Sequence, residues 1–185
     1  MGSASYTITK ASSNPSYTVV TAGTAGVTAG ILNIQATNDT IALGQIALIL
    51  TNNASSSASD INSVNLYDGG TFVGSGIFDG SATTMTVTLS PRLTIPKDSS
   101  KLLTIKVDTA AIDSASAASR EGAFLAVDWD FNNSSTGTTT AYTSAGTALA
   151  ATSLVDTAVD GFRMFKAYPT LAKVAVPNLT PNQGN

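Results

Sequence analysis

The sequence predicts an all-β fold: an antiparallel β-sandwich of about nine to eleven strands. The first observation is a period-two alternation of apolar and polar residues in four short runs between residues 60 and 108, a pattern typical of strands buried on one face. The second is the pair of dipeptides Asp68-Gly69 and Asp79-Gly80 between these runs, because Asp-Gly favours tight hairpin turns. The third is that the sequence has no repeated amphipathic helical pattern. An α/β fold requires such helices, so this class is disfavoured.

The chain before residue 60 contains further strand candidates. Residues 5–10 alternate and predict a first strand, which Pro15 interrupts before residues 17–20 resume it. A proline between two half-strands fits an edge strand that crosses from one sheet to the other. The next strand is predicted to begin with Ile31 and Ile34 and to end at Asn38-Asp39, and the apolar run 41–50 predicts the strand at the centre of the core.

Two prolines, Pro91 and Pro96, predict a crossover loop over residues 91–98, because proline lacks the N–H that a central strand needs. Leu93 and Ile95 within this loop are expected to fill the core.

The last third of the chain is less regular. Residues 109–120 allow two interpretations, one or two helical turns or a loop, and both remain open. Further strands are predicted at 123–131, 138–150, 162–167 and 171–176, with 138–150 a weak or edge strand.

The composition argues against several classes of function. Only 11% of the residues are charged and the net charge is −3, whereas nucleic-acid binding requires clustered Lys and Arg. The chain has no cysteine and no histidine, and Glu121 is its only glutamate. The commonest general base and thiol chemistry are therefore missing, and we expect no enzymatic activity and no cofactor, calcium excepted. No apolar run approaches the roughly 18 residues of a membrane helix, so membrane insertion is not expected.

Three segments together resemble a known family. They are D-I-x-x-V-x-L-Y-D-G-G-x-x-V-G-S at 60–75, L-T-I-P-K-x-S-S-K-x-L-T-I-K-V-D at 93–108, and F-x-x-Y-P-T-L-A-K-V-A-V-P at 165–177. This order is similar to Ig-like β-sandwich repeats of large bacterial and archaeal cell-surface proteins, including S-layer-like proteins and those of candidate-phyla bacteria. The resemblance implies an Ig-like domain over 1–170, with 171–185 as a terminal strand and linker or the truncated start of a following module. It implies no catalytic residue.

The first functional hypothesis is a non-enzymatic structural module of an extracellular cell-surface protein: a spacer, a stalk, or a surface-layer or filament building block. Its partners would be neighbouring modules or copies of itself. Strand addition, in which a terminal strand docks on the sheet edge of a neighbour, is one mode of assembly. The residues predicted to take part are Tyr6, Ile8 and Lys10 in the first strand and Leu171, Val174 and Val176 in the last.

The alternative is an adhesin or carbohydrate-binding module, with or without calcium. Asp128, Asp130 and Asn132 are the calcium candidates, since their D-x-D-x-N spacing opens a calcium loop. The Gly and Glu that complete such a loop are replaced by Asn133 and Thr139. The competing interpretation is a solvated strand face with Trp129 pointing into the core.

Aromatic side chains are the candidates for stacking on a glycan. They are Tyr67, Phe72, Trp129, Tyr142 and Tyr168. We expect Trp129 to lie in the core and Tyr142 and Tyr168 to be exposed. Clustering of exposed aromatics on one sheet face would favour the binding hypothesis.

Overall fold

The structure, a computed structural model, describes residues 2–51, 56–112, 120–131, 138–149 and 156–172. These residues form thirteen strands: β1 (Ser5–Lys10), β2 (Thr18–Thr21), β3 (Val27–Thr37), β4 (Ile41–Leu50), β5 (Ile61–Asp68), β6 (Thr71–Gly76), β7 (Thr84–Ile95), β8 (Ser100–Thr109), β9 (Ala123–Leu125), β10 (Val127–Trp129), β11 (Thr140–Thr143), β12 (Ala148–Leu149) and β13 (Phe162–Phe165). A single 3₁₀ turn, Ala58–Asp60, precedes β5. In this part of the chain, no helix has the length and apolar character needed to cross a membrane.

Two five-stranded antiparallel sheets pack against each other. The front sheet has the strand order β1-β3-β8-β5-β6. In the back sheet, β4 pairs with β7 on one side and with β10 and β11 on the other, and β12 lies beyond β11. The chain alternates between the sheets, so that long-range pairing fixes most of the fold.

A third, three-stranded sheet, the end sheet, has the order β2-β13-β9. Strand β13 is parallel to β2 and antiparallel to β9. The chain passes from β9 into β10 through Ala126, whose carbonyl accepts a hydrogen bond from the Thr51 N–H at 2.9 Å. The end sheet is thereby joined to the back sheet.

The core lies between the inward faces of the front and back sheets, and the period-two alternation explains its composition. Its largest fully buried side chains include Ile8, Leu32, Ile34, Leu43, Ile46, Leu48, Leu66 and Trp129. The expectation that β4 is central is confirmed, because β4 pairs with three other strands.

The predicted antiparallel all-β sandwich is confirmed, with more strands than expected. The predicted strand 123–131 is divided into β9 and β10 by the crossing at Ala126. The predicted strand 138–150 contains β11 and β12. The end sheet also contributes one parallel pair that hairpin signals do not predict.

The predicted loop at 91–98 is wrong in its first half, because β7 continues to Ile95. Pro91 is accommodated because β7 pairs with β4 alone among the described strands and because the ladder is irregular between Leu43 and Gln45. Leu93 and Ile95 are buried as predicted. Most of the 109–120 segment, and 173–176 of the last predicted strand, lie outside the described residues.

One glycine, Gly74, lies at a close contact between the two large sheets. A Cβ added to Gly74 of β6 would lie 2.6 Å from the Thr88 carbonyl oxygen of β7 and 3.0 Å from a Val87 methyl group. Gly74 therefore allows β6 to approach the backbone of the opposite sheet at the side where both sheets end.

We expect Gly74→Ala to reduce the free energy of unfolding by about 1–3 kcal/mol, the usual cost of overpacking. The matched control is Gly70→Ala in the β5–β6 turn, where a Cβ would meet nothing within 4 Å. Urea denaturation of both variants measures the difference. Equal stabilities of the two variants would show that the approach of β6 to β7 is not tight.

Candidate functional site

The two carboxylates of the calcium candidate are buried. Asp128 is 6% exposed and Asp130 is 5% exposed, so neither lies on the solvated strand face that alternation suggested. Trp129 between them is fully buried, as predicted. Strand β10 is therefore covered on both faces.

Hydrogen bonds from this chain occupy the Asp128 carboxylate. Its Oδ1 accepts the Val159 main-chain N–H at 2.8 Å, and its Oδ2 accepts the Thr51 hydroxyl. Burial raises the pKa of Asp128, the two hydrogen bonds oppose this, and the nearby Asp156 charge adds to the rise. The site holds a carboxyl group whose ionised form is disfavoured.

The calcium site itself stays a prediction. Asn132, its third residue, lies outside the described residues. Among those described, no group of three or more Asp, Glu, His or Cys side chains could hold a metal ion. Asp128 and Asp130 alone would provide two carboxylates, whereas calcium requires about six to eight oxygen ligands.

The segment around Thr157 covers β10, which the sequence did not indicate. The main-chain groups of Thr157 and Trp129 exchange two hydrogen bonds at 3.1 and 3.2 Å. The Thr157 hydroxyl also donates to the Ile8 carbonyl oxygen of β1 at 3.0 Å. One residue thus links the edge of the front sheet to the edge of the back sheet.

The first strand, whose residues were predicted to take part in assembly, lies in the front sheet of its own chain. Tyr6 and Ile8 are fully buried, and burial raises the pKa of Tyr6 to about 12. The Lys10 Nζ lies 3.0 Å from Asp160 Oδ1 in a largely exposed ion pair.

The second predicted assembly strand is only partly described. Leu171 is 99% exposed, and Val174 and Val176 lie outside the described residues. Strand addition therefore remains a prediction for both ends of the domain.

A pocket opens on the outer surface of the back sheet, and we call it the back-sheet pocket. Its volume is about 240 Å³, and its lining includes Gly44, Gln45, Thr88, Arg92, Thr140 and Tyr142. It forms where the pairing of β4 with β7 is irregular. Leu43 pairs with Leu93 and Gln45 pairs with Thr88, so the four residues 89–92 of β7 lie opposite the single residue Gly44 of β4. Such a bulge redirects side chains out of a regular sheet.

The guanidinium carbon of Arg92 lies 4.4 Å from the centroid of the Tyr142 ring. Tyr142 is half-buried rather than exposed as expected, because Arg92 covers it. No carboxylate of the described residues lies within ion-pair distance of Arg92. The pocket thus combines a cation, an aromatic ring, hydroxyl groups and an amide.

A second aromatic group lies on the outer face of the front sheet. Tyr67 and Phe72 make an edge-to-face contact with ring centroids 5.8 Å apart. The Lys106 Nζ lies 5.0 Å from the Tyr67 centroid, and Phe72 is 49% exposed. The sequence placed these residues on strands but did not indicate that the rings touch.

In comparisons with known proteins, no family model, no curated protein and no solved structure matches this chain.

We expect Asp128→Asn to be more stable than the natural chain at neutral pH. The folded pKa of Asp128 is raised above the unfolded value of about 3.9. Natural-chain stability therefore falls as the pH rises from about 4 through the folded pKa. The asparagine keeps an oxygen for the Val159 N–H and loses the penalised charge. Its advantage should vanish as the pH is lowered towards about 4.

Asp108→Asn is the control, because the pKa of Asp108 is shifted in the opposite direction. The Ser63 hydroxyl and the Gly26 N–H lower the pKa of Asp108, so this variant should be less stable at neutral pH and approach the natural chain in acid. Thermal unfolding between pH 3 and 8, with EDTA or calcium, measures both. Calcium-dependent destabilisation by Asp128→Asn would instead identify Asp128 as a cation ligand.

Proposed function

We propose that this chain is a non-enzymatic structural module of an extracellular cell-surface protein, which carries tension between the units on either side of it. The observation that carries the proposal is the path of the polypeptide, which enters the domain at one pole of the sandwich and leaves it at the other.

The first pole lies where β3 ends. The Ser3 carbonyl, just before β1, accepts a hydrogen bond from the Asn38 side chain at 2.9 Å, and Asn38 follows the last residue of β3. The domain is therefore entered at this end of the front sheet.

The second pole lies where β3 begins. The carbonyl of Phe165, the last residue of β13, accepts the Ala22 N–H at 2.8 Å. The next residue, Gly23, bonds to Ala110 at 3.1 Å, directly after β8. Strand β3 has 11 residues, and at about 3.3 Å per residue its two ends lie roughly 35 Å apart.

Tension between the poles runs along the strands. Strand β1 runs from the first pole towards the second, and it ends at the Lys10–Asp160 contact. Strand β13 starts two residues after Asp160, at Phe162, and continues to the second pole. Ladder hydrogen bonds lie across the strand direction, so pulling on either strand lengthwise loads several bonds at once.

Both loaded strands are held firmly. Strand β1 forms six residue pairs with β3, and Thr157 also bonds to it from its outer side. Strand β13 lies between β2 and β9. Strand addition to a neighbour would require β1 to leave this arrangement, so we favour end-to-end linkage of modules over strand exchange.

Force spectroscopy tests this function. The chain has no cysteine, so Ser3→Cys with Lys166→Cys gives unique attachment points at the two poles. We expect cooperative unfolding at a higher force than in a variant that is pulled through Asn62→Cys and Ile77→Cys. The second pair pulls β6 sideways from β5, so the hydrogen bonds break one after another.

Thr157→Val is the matched variant, since it removes the hydroxyl that bonds to Ile8 and should lower the unfolding force between the poles. Equal forces in the two pulling directions would contradict a load-bearing role.

A second candidate function, glycan binding, is favoured by the Tyr67–Phe72 pair on the front sheet. Aromatic rings offer apolar faces on which a sugar ring can stack, and Phe72 is about half exposed. We expect Phe72→Ala to abolish retention of the protein in gels that contain a soluble neutral glucan. Tyr17→Ala is the control, since Tyr17 is similarly exposed and stacks on Phe124 elsewhere. Unchanged mobility of the natural chain in a panel of glucans would refute this candidate.

A further inference from the structure

We propose that the back-sheet pocket binds the carboxylate-bearing ring of an acidic sugar, such as a uronate. The proposal is independent of the load-bearing role, because a module that carries no tension could still bind this ligand. It is also independent of the Tyr67–Phe72 pair, which lies on the opposite sheet.

Arg92 is the group that would recognise the carboxylate. Its guanidinium carbon lies over the Tyr142 ring, 4.4 Å from the centroid, and a contact of this kind restrains a flexible side chain. The N–H groups at the guanidinium edge match the two oxygens of a carboxylate. Arg92 lacks a carboxylate partner among the described residues, so a ligand would not have to displace one.

The remaining polar groups suit the hydroxyl groups of a sugar. The Gln45 amide donates to the Thr88 hydroxyl at 3.3 Å, and its carbonyl accepts the Thr140 hydroxyl at 3.4 Å. Both distances lie beyond the usual range for hydrogen bonds. A ligand hydroxyl could replace either bond at little cost. The two threonine hydroxyls can each donate or accept a hydrogen bond, and the Gln45 amide offers a donor and an acceptor.

The size of the pocket favours a single ring. Its volume of about 240 Å³ equals that of roughly eight liquid water molecules, whereas most sites for drug-sized ligands are larger. Gly44 keeps this space open, since a Cβ there would lie 3.2 Å from the Tyr142 ring. A side chain at position 44 would occupy part of the ligand volume.

The combination of groups favours an acidic sugar over other anions. Inorganic phosphate would engage Arg92 but leave most of the volume empty. An aspartate or glutamate side chain of a peptide also offers a carboxylate, but no hydroxyl groups for Gln45, Thr88 and Thr140. A neutral sugar would satisfy these three residues and leave Arg92 without a partner.

The test is a titration of the full chain with galacturonate, followed by NMR of the Tyr142 ring and Arg92 side chain. A ligand of about a dozen non-hydrogen atoms should bind with a dissociation constant of roughly 1 mM. We expect galactose, acetate and inorganic phosphate each to bind at least about tenfold more weakly, since each lacks one half of the recognised chemistry.

Arg92→Gln should weaken galacturonate binding by about tenfold or more, and Arg92→Lys should fall between, since it keeps the charge without the planar fork. Arg163→Gln is the matched control: Arg163 lies 5.9 Å from the Phe124 ring centroid but outside the pocket, so binding should be unchanged. Gly44→Ala provides a second way to close the site without altering its charge.

Three results would overturn the proposal. They are no shift at galacturonate concentrations far above the expected constant, equal binding by the natural chain and Arg92→Gln, and equal binding of galacturonate and a glutamate-containing peptide. The last result would make the pocket a site for protein carboxylates.

Discussion

A sandwich of two sheets is stable only if the backbone groups along its outer edges are satisfied, and this constraint shapes the present structure. Unpaired strand edges attract other chains, and open sides admit water to the core. Here Thr157 closes one side by bonding to Trp129 of the back sheet and to Ile8 of the front sheet. Gly74 closes the other side by allowing β6 to approach β7. The two contacts lie at opposite edges of the sandwich, and the Thr157 contact adds to the six residue pairs that hold β1 on β3.

Closing the sandwich also buries carboxyl groups, and two of them, Asp128 and Asp60, have local hydrogen-bond partners. Asp128 is covered by the segment that contains Thr157, and it accepts hydrogen bonds from Val159 and Thr51. Asp60, only 1% exposed, directly precedes β5, pairs with Arg120 and accepts the Ser57 N–H. A buried ion pair adds little net stability, but the loss of one partner is costly. These groups therefore fix the course of the connecting segments more than they add free energy.

The sequence was sufficient for the class of fold and for most strands, because these depend on local alternation and turn residues. Gly69 and Gly80, the glycines of the Asp-Gly pairs, have the positive φ angles that tight turns require. The predictions that were wrong concern features that depend on distant parts of the chain. Alternation placed Asp128 on a solvated face, because nothing near it in sequence shows that the segment at 156–161 covers that face. Pro91 predicts a break in the strand, but β7 accommodates it because, among the described strands, β7 has a partner on one side only.

The candidate sites were less predictable than the fold for the same reason. The sequence identifies Tyr142 as an aromatic residue in a polar setting, but its contact with Arg92 joins two segments about fifty residues apart and depends on the bulge between β4 and β7. The Tyr67–Phe72 contact required the register of the β5–β6 hairpin. Single residues could be chosen from composition and pattern, whereas the pockets and clusters that they form depend on long-range pairing.

The placement of Ser3 and Phe165 at opposite poles has a consequence for extensibility. The folded chain spans roughly 35 Å between these poles, whereas the same 160 or so residues, at about 3.4 Å each, reach roughly 550 Å when fully extended. An array of such modules would respond to overload by lengthening one unit at a time, and the chain would remain covalently intact. The absence of cysteine means that no disulfide limits this reserve of length within a module.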